Sequence, residues 1–275
     1  MIGSTRPVGD LLREWRQRRH RSQLDLALEA DISTKHLSFL ETGRSQPSRE
    51  MLLHLSDLLD IPLRERNSVL IAAGFAPIFP ERSFGDPALE AARRAVDLVL
   101  TGHNPYPAVA VDRHWNMVAA NQSTQRLLEV IDPAMLQPPV NVLRLSLHPN
   151  GLAPRIVNLA EWREHLLVRL RHQIQATADP ILSELAAELE SYPHPAGSLP
   201  AGTTEQYGGV VVPLRLQTAS GVLSLFSTIT IFGTPVDVTL SELALESFFP
   251  ADAQSAEMLR RLAEFGHGGG AAAAQ

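Results

Sequence analysis

The chain has 275 residues, 44% of them hydrophobic and 20% charged, which is enough apolar material for two domains, each with its own core. It contains no cysteine, so disulfides, thiolate metal sites and cysteine nucleophiles are excluded, in keeping with a reducing compartment. The formal net charge of −6 argues against a nucleic-acid coat or a polybasic membrane binder. No apolar run approaches the length of a membrane span and the N-terminus lacks the apolar core of a signal peptide. The expected location is cytoplasmic, with no membrane partner.

The charge is uneven along the chain. Residues 1–75 hold 11 Lys and Arg against 10 Asp and Glu, whereas the remainder holds 13 against 20. Within the first 21 residues six arginines (Arg6, Arg13, Arg16, Arg18, Arg19, Arg21) stand against Asp10 and Glu14. That cluster reads either as a docking face for an anionic partner or as a solvated basic surface.

From Val8 to Gly74 the pattern is one of short helices. Leu11, Leu12 and Trp15 form one apolar stripe, and Leu24, Ala27 and Leu28 a second behind Ser22 as N-cap. A third element after Asp31 turns Leu37 and Leu40 inward and ends at Gly43. A fourth starts at Ser48, carries Leu52, Leu55 and Leu59, and stops before Pro62. A fifth spans about Leu63–Ala73 and closes on Gly74. The predicted organisation is an all-α domain over 1–75, a Pro-rich linker over 76–86, a second domain over 87–265 and a low-complexity, disordered tail over 266–275.

The second domain opens with a helix behind Asp86-Pro87 that stops at Gly102. Strands are predicted over Ala108–Val111 and Asn116–Ala119, followed by a helix from Gln122 to Val130. Residues 159–191 read as helical with a break at Asp179-Pro180, and 191–209 as a loop. Three strands are then expected over Val211–Gln217, Val222–Phe232 and Thr239–Phe248, with a last helix over Ala253–Phe265. This is α+β, with a mostly antiparallel sheet packed on one side by helices.

A helix reads base edges in the major groove only if its early exposed residues are donors or acceptors and the preceding helix holds it against the backbone. In "SQLDLALEADISTKHLSFLETG", Ala27 permits a close crossing and Leu26, Ile32, Leu37 and Leu40 lock the angle. Ser33, Thr34, Lys35, His36 and Phe39 are left outward as candidate base readers. Ser22 and Gln23 at a helix N-terminus, and Arg44, Ser45 and Arg49 beyond the reading helix, are candidate phosphate contacts. The competing reading is a helical bundle whose polar face is merely solvated.

The spacing "SQLDLALEADISTKHLSFLETGRSQPS" resembles the phage repressor and Cro type of helix-turn-helix, the Xre-like group, departing at Asp31, where that motif commonly has Gly. Together with "NPYPAVAVDRHWNMVAAN" and "VVVPLRLQTASGVLSLFSTITIFGTPVDVTLSELALESFFPADA", the chain resembles the MmyB-like transcription regulators over nearly its whole length. That resemblance implies a five-helix Xre/Cro-type N-terminal domain and a PAS-like C-terminal domain that binds a small lipophilic, fatty-acid-like ligand.

A PAS-like pocket lies between a curved antiparallel sheet and its covering helices. Alternation in "GVLSLFSTITIF" gives one nearly apolar face that includes Ile229 and Ile231. With Val109, Val111, Trp115, Trp162 and Leu166 it either lines a ligand cavity or forms an ordinary core. Arg169, on the helix face near Trp162 and Leu166 with His165 and His172, is the candidate partner for a ligand carboxylate, or else a solvated charge. Asn121 either caps the following helix or faces the ligand.

The sequence has no Gly-rich phosphate loop, nucleophile elbow or His-Glu-x-x-His pair, and its ten histidines lack carboxylate partners at metal-ligand spacing. The expectation is a non-enzymatic regulator without cofactor or metal, binding a two-fold-related operator in double-stranded DNA as a homodimer under control of a lipophilic ligand. The alternative is constitutive DNA binding, with a second domain that serves as a protein-interaction module without ligand.

Overall fold

The computed structural model describes residues 6–193, 212–232 and 237–265. The loop expected over 194–209, Val211 at the head of an expected strand, and the tail expected over 266–275 lie outside the described residues. The described residues divide into two compact units, one of residues 6–82 with 175–178 and 237–241, the other of the remainder.

The first unit contains α1 (Val8–Arg18), α2 (Gln23–Glu29), α3 (Thr34–Glu41), α4 (Arg49–Leu58) and α5 (Leu63–Ala72). Three serines start helices: Ser22 Oγ accepts the Asp25 amide, Ser33 Oγ that of His36 and Ser48 Oγ that of Met51. Each such cap is worth about 1 kcal/mol. Between α2 and α3, Asp31 adopts φ 53°, the left-handed conformation for which glycine is commonly chosen and which Asp tolerates. Beyond α3, Gly43 sits at φ 70° while its amide bonds Leu40 O and the Arg44 amide bonds Phe39 O, the Schellman ending that a glycine permits.

The core of this unit joins Leu12 and Trp15 to Leu26, Ala27, Leu37, Leu40, Leu52, Leu55 and Leu59. The stripe expected on α2 is shifted. Leu24 and Leu28 are 65% and 81% exposed, while Leu26, Ala27 and Ala30 are buried. A seven-residue helix offers apolar residues on two faces, and packing onto α3 selects the Leu26–Ala27 face. On α1, Gly9 is required by close approach, since a Cβ there would lie 2.5 Å from Leu40 O and 2.6 Å from Glu41 O.

The second unit begins with a 3₁₀ turn at Pro87–Leu89 and α6 (Glu90–Gly102). There follow β1 (Ala108–Val111), β2 (Met117–Ala120), α7 (Gln122–Leu128), α8 (Val142–Leu147), α9 (Leu159–Thr177) and α10 (Pro180–Ser191). The chain continues through β3 (Leu214–Thr218), β4 (Gly221–Ile231), α11 (Val238–Ser241), β5 (Ala244–Pro250) and α12 (Ala253–Phe265), of which α11 clusters with the first unit. The sheet order is β2-β1-β5-β4-β3 and every ladder is antiparallel, the PAS-like arrangement expected.

Three local expectations change. The strand expected over Thr239–Phe248 starts only at Ala244, because Asp237 Oδ1 accepts the Thr239 amide at 2.9 Å and starts α11 instead. Helices pack on both sheet faces: Val96 and Leu100 of α6 meet Ala108, Ala110 and Leu245, while α9 and α10 cover Val109, Leu223 and Leu225 opposite. Helix α8 was absent from the sequence reading; Asn141 caps it through the amides of Leu143 and Arg144.

Candidate functional site

Helix α3 presents Thr34 and Lys35 exposed on its first turn and His36 and Phe39 half-exposed beside them. Ser33, expected among the base readers, is the N-cap, with its hydroxyl turned to the His36 amide at 3.0 Å. Lys35 Nζ and the Arg44 guanidinium lie 5.5 and 5.8 Å from the Phe39 ring centre, and Arg49 lies 5.5 Å from that of Phe75.

The arginines near the N-terminus are committed inside the unit. Arg6 and Arg18 pair with Glu14, Arg21 with Glu29, and Arg13 with Asp10 and Glu41. Arg16 bonds Glu41 at 2.6 and 3.0 Å, and Arg19 donates to the carbonyls of Leu59 and Asp60, both at 2.8 Å. Among the described residues, Lys35, Arg44 and Arg49 have no carboxylate partner. The cations available to an anion therefore flank α3, not the arginine-rich start of α1.

Two expected phosphate contacts are otherwise engaged. Ser22 Oγ donates to Asp25 Oδ2 at 2.6 Å and accepts the Asp25 amide, so a carboxylate already occupies the first turn of α2. Gln23 Nε2 donates to Glu41 Oε2 at 2.8 Å. Glu41 is 2% exposed. Burial pushes its carboxyl pKa up, but donors from Arg16 and Gln23 and the charges of Arg16 and Arg13 outweigh that and hold it below the usual carboxylate range. Ser45 stays half-exposed beyond the α3 C-terminus, its amide on Phe39 O at 3.2 Å.

In the second unit a cavity of about 100 Å³ lies between the sheet and helices α7, α8 and α9. Of the expected lining, Val109, Trp162 and Leu166 face it. Val111 is in the surrounding core, and Trp115 sits in the β1–β2 turn at φ 67°, its indole nitrogen on Gln173 Oε1 at 2.8 Å. Asn121 caps α7: its oxygen accepts the Thr124 and Ala108 amides, and its nitrogen donates to the carbonyls of Leu100 and Tyr106. Ile229 and Ile231 are 44% and 66% exposed and do not line the cavity, although the pleat puts Ile229 opposite Glu246 in register.

Arg169 does not line the cavity. It forks onto Glu246 at 3.0 and 3.3 Å, with its guanidinium 4.2 Å from the Trp115 ring centre. Glu246 itself, Ser146 and Leu145 of α8, Leu127 of α7 and Leu214 and Leu216 of β3 are lining residues that sequence reasoning missed. The apolar run after Asn141, a capping residue, was the signal available for α8. For Glu246 no local signal existed, since its burial follows from β5 lying between β1 and β4.

A compact helix-turn-helix unit whose α3 exposes polar residues, joined to an antiparallel unit with an apolar cavity, defines a DNA-binding transcription regulator with a ligand-binding domain. Residues 12–66 match the helix-turn-helix family, and residues 92–262 match the MmyB-like transcription regulator ligand binding domain. The latter covers more than half of the chain, which therefore belongs to the MmyB-like transcription regulators. No curated protein matches the chain. No helix among the described residues is long and apolar enough to cross a membrane.

Proposed function

We propose that the protein is a cytoplasmic, sequence-specific regulator that binds a two-fold-related operator as a homodimer and responds to a small lipophilic ligand with a fatty-acid-like hydrocarbon chain. The observation that carries the DNA half is the distribution of cations: among the described residues Lys35, Arg44 and Arg49 form no ion pair while the six early arginines are all engaged. Thr34, Lys35, His36 and Phe39 are the base-reading candidates, and Arg44, Ser45 and Arg49 the backbone clamp. A single such helix makes too few contacts for a specific site, which supports a symmetric dimer.

The ligand half rests on the apolar cavity, which is near the size of the roughly 150 Å³ apolar cavity that accepts benzene in an engineered protein. A long acyl chain would extend beyond it or part its lining. Glu246 lines the cavity only five residues beyond Ser241, the last residue of the segment that clusters with the first unit. A displacement of β5 by ligand thus has a short covalent route to the DNA-binding unit, and it acts only as far as ligand binds the two states differently.

A mobility shift of the full chain against genomic fragments at physiological salt should retain a few fragments selectively. Lys35→Ala should change which sequences bind. Arg44→Ala or Arg49→Ala should weaken all of them and reduce the salt slope by about one. Uniform binding to every fragment, or equal losses on all sequences for Lys35→Ala, would contradict the assignment.

A further inference from the structure

The cavity wall has a definite polarity. Its described lining is aliphatic and aromatic apart from Thr124, Ser146 and Glu246, and the one ionisable side chain in it is a carboxylate. The Thr124 hydroxyl is committed to Ala108 O and Asn121 Oδ1 at 2.8 and 3.0 Å. Ser146 Oγ accepts the Trp162 indole proton at 2.9 Å. No cationic side chain reaches the cavity surface among the described residues: Arg169 stands behind Glu246, and His165 stacks on Trp162 with ring centres 5.3 Å apart. Burial, and then the nearby Arg169 charge, lower the His165 pKa below its ordinary value and so disfavour its charged form.

Glu246 is held but not saturated. Its Oε1 accepts from Arg169 Nη1 at 3.0 Å and Ser227 Oγ at 2.8 Å, whereas Oε2 takes a single long bond from Arg169 Nη2 at 3.3 Å. A carboxylate oxygen has room for about two donors. The residue is 5% exposed and lines the cavity, so little bulk water competes for the space left on its carboxylate. A ligand carboxylate entering here would meet a like charge in a poorly solvated site, with both terminal nitrogens of the one nearby guanidinium on Glu246 and only its buried Nε left over.

Taking the cavity as a ligand site, as proposed above, we infer that its ligand is a lipophile whose head group donates a hydrogen bond to Glu246, an aliphatic alcohol or amine, rather than a free carboxylic acid. Glu246 then selects the head and the leucine-rich wall the tail. This differs from the acid-binding role expected for Arg169, whose fork serves to hold Glu246 in place.

The test is calorimetric titration of the delipidated full chain at pH 7.5 with 1-hexanol, hexylamine and hexanoate, and with the matching twelve-carbon series below their aggregation limits. In at least one chain length the alcohol or amine should bind about tenfold or more tighter than the carboxylate, and Glu246→Gln should shrink that gap by a similar factor. The wild-type series stands by itself if the variant unfolds, which circular dichroism reports. Tighter binding of the carboxylate, or an unchanged order in folded Glu246→Gln, overturns the head-group assignment while leaving the cavity a ligand site. Binding of none of the six probes overturns the ligand-site reading and this inference with it.

Discussion

Glu41 gathers donors from Arg16 and Gln23 at the C-terminal end of the reading helix while almost fully buried, so its charge ties α1 and α2 to α3. Removing one partner of a buried pair leaves the other charge uncompensated, at about 3 kcal/mol or more. Glu41→Gln should therefore lower the unfolding free energy of the first unit, read from urea midpoint and slope, by an amount of that order. The folded pKa of Glu41 lies below its unfolded value, so its stabilisation is complete above the unfolded value and is lost as pH falls through the folded one. Acidifying below about pH 4.3, the ordinary glutamate value, should cost the wild type more stability than it costs Glu41→Gln. Parallel pH profiles for the two proteins would contradict this role. None of it was legible beforehand: Glu41 was recognisable only as part of a motif, because its partners come from 18 to 28 residues away.

The helices themselves were largely readable, since their signals are local. Ser22, Ser33 and Ser48 each cap within three residues, and Gly43 ends α3 through its own backbone freedom. What local pattern could not decide was which face packs: Leu24 and Leu28 have helical spacing and yet face outward. It also missed contacts between elements, of which Gly9 is the sharpest. Its α-carbon lies so near Leu40 O and Glu41 O that Gly9→Ala must push α1 away from α3. The overpacking cost, about 1–3 kcal/mol, should exceed the roughly 1 kcal/mol that alanine gains as a helix former. Thermal unfolding of Gly9→Ala should show a lower midpoint; an unchanged or higher one would mean the helices separate freely. In the second unit most of the strand spacing was legible and the caps that start α8 and α11, Asn141 and Asp237, are local signals, whereas helices on both sheet faces depend on tertiary packing.

For the whole molecule, the two halves of the candidate site were unequally legible. The proposed base-reading positions lie on one helix, so spacing alone could nominate them. The cavity is assembled from all five strands and three helices, and spacing offered Val109, Trp162 and Leu166, which line it, but also Ile229 and Ile231, where the pleat continues past the cavity. Arg169 had the right neighbourhood and the wrong task, because its counter-charge sits 77 residues away. The family supplies both functions, a helix-turn-helix and a ligand-binding domain, and the proposed regulation requires that they be thermodynamically coupled. The most direct measurement is fluorescence anisotropy of an operator selected from the genomic fragments, titrated with the full chain as purified, after delipidation, and after adding 1-dodecanol. Coupling of ordinary size predicts that operator affinity changes at least about fivefold between the lipid-loaded and stripped protein. Equal affinities in all three states, with binding of the probe demonstrated, would contradict control of DNA binding by a cavity ligand.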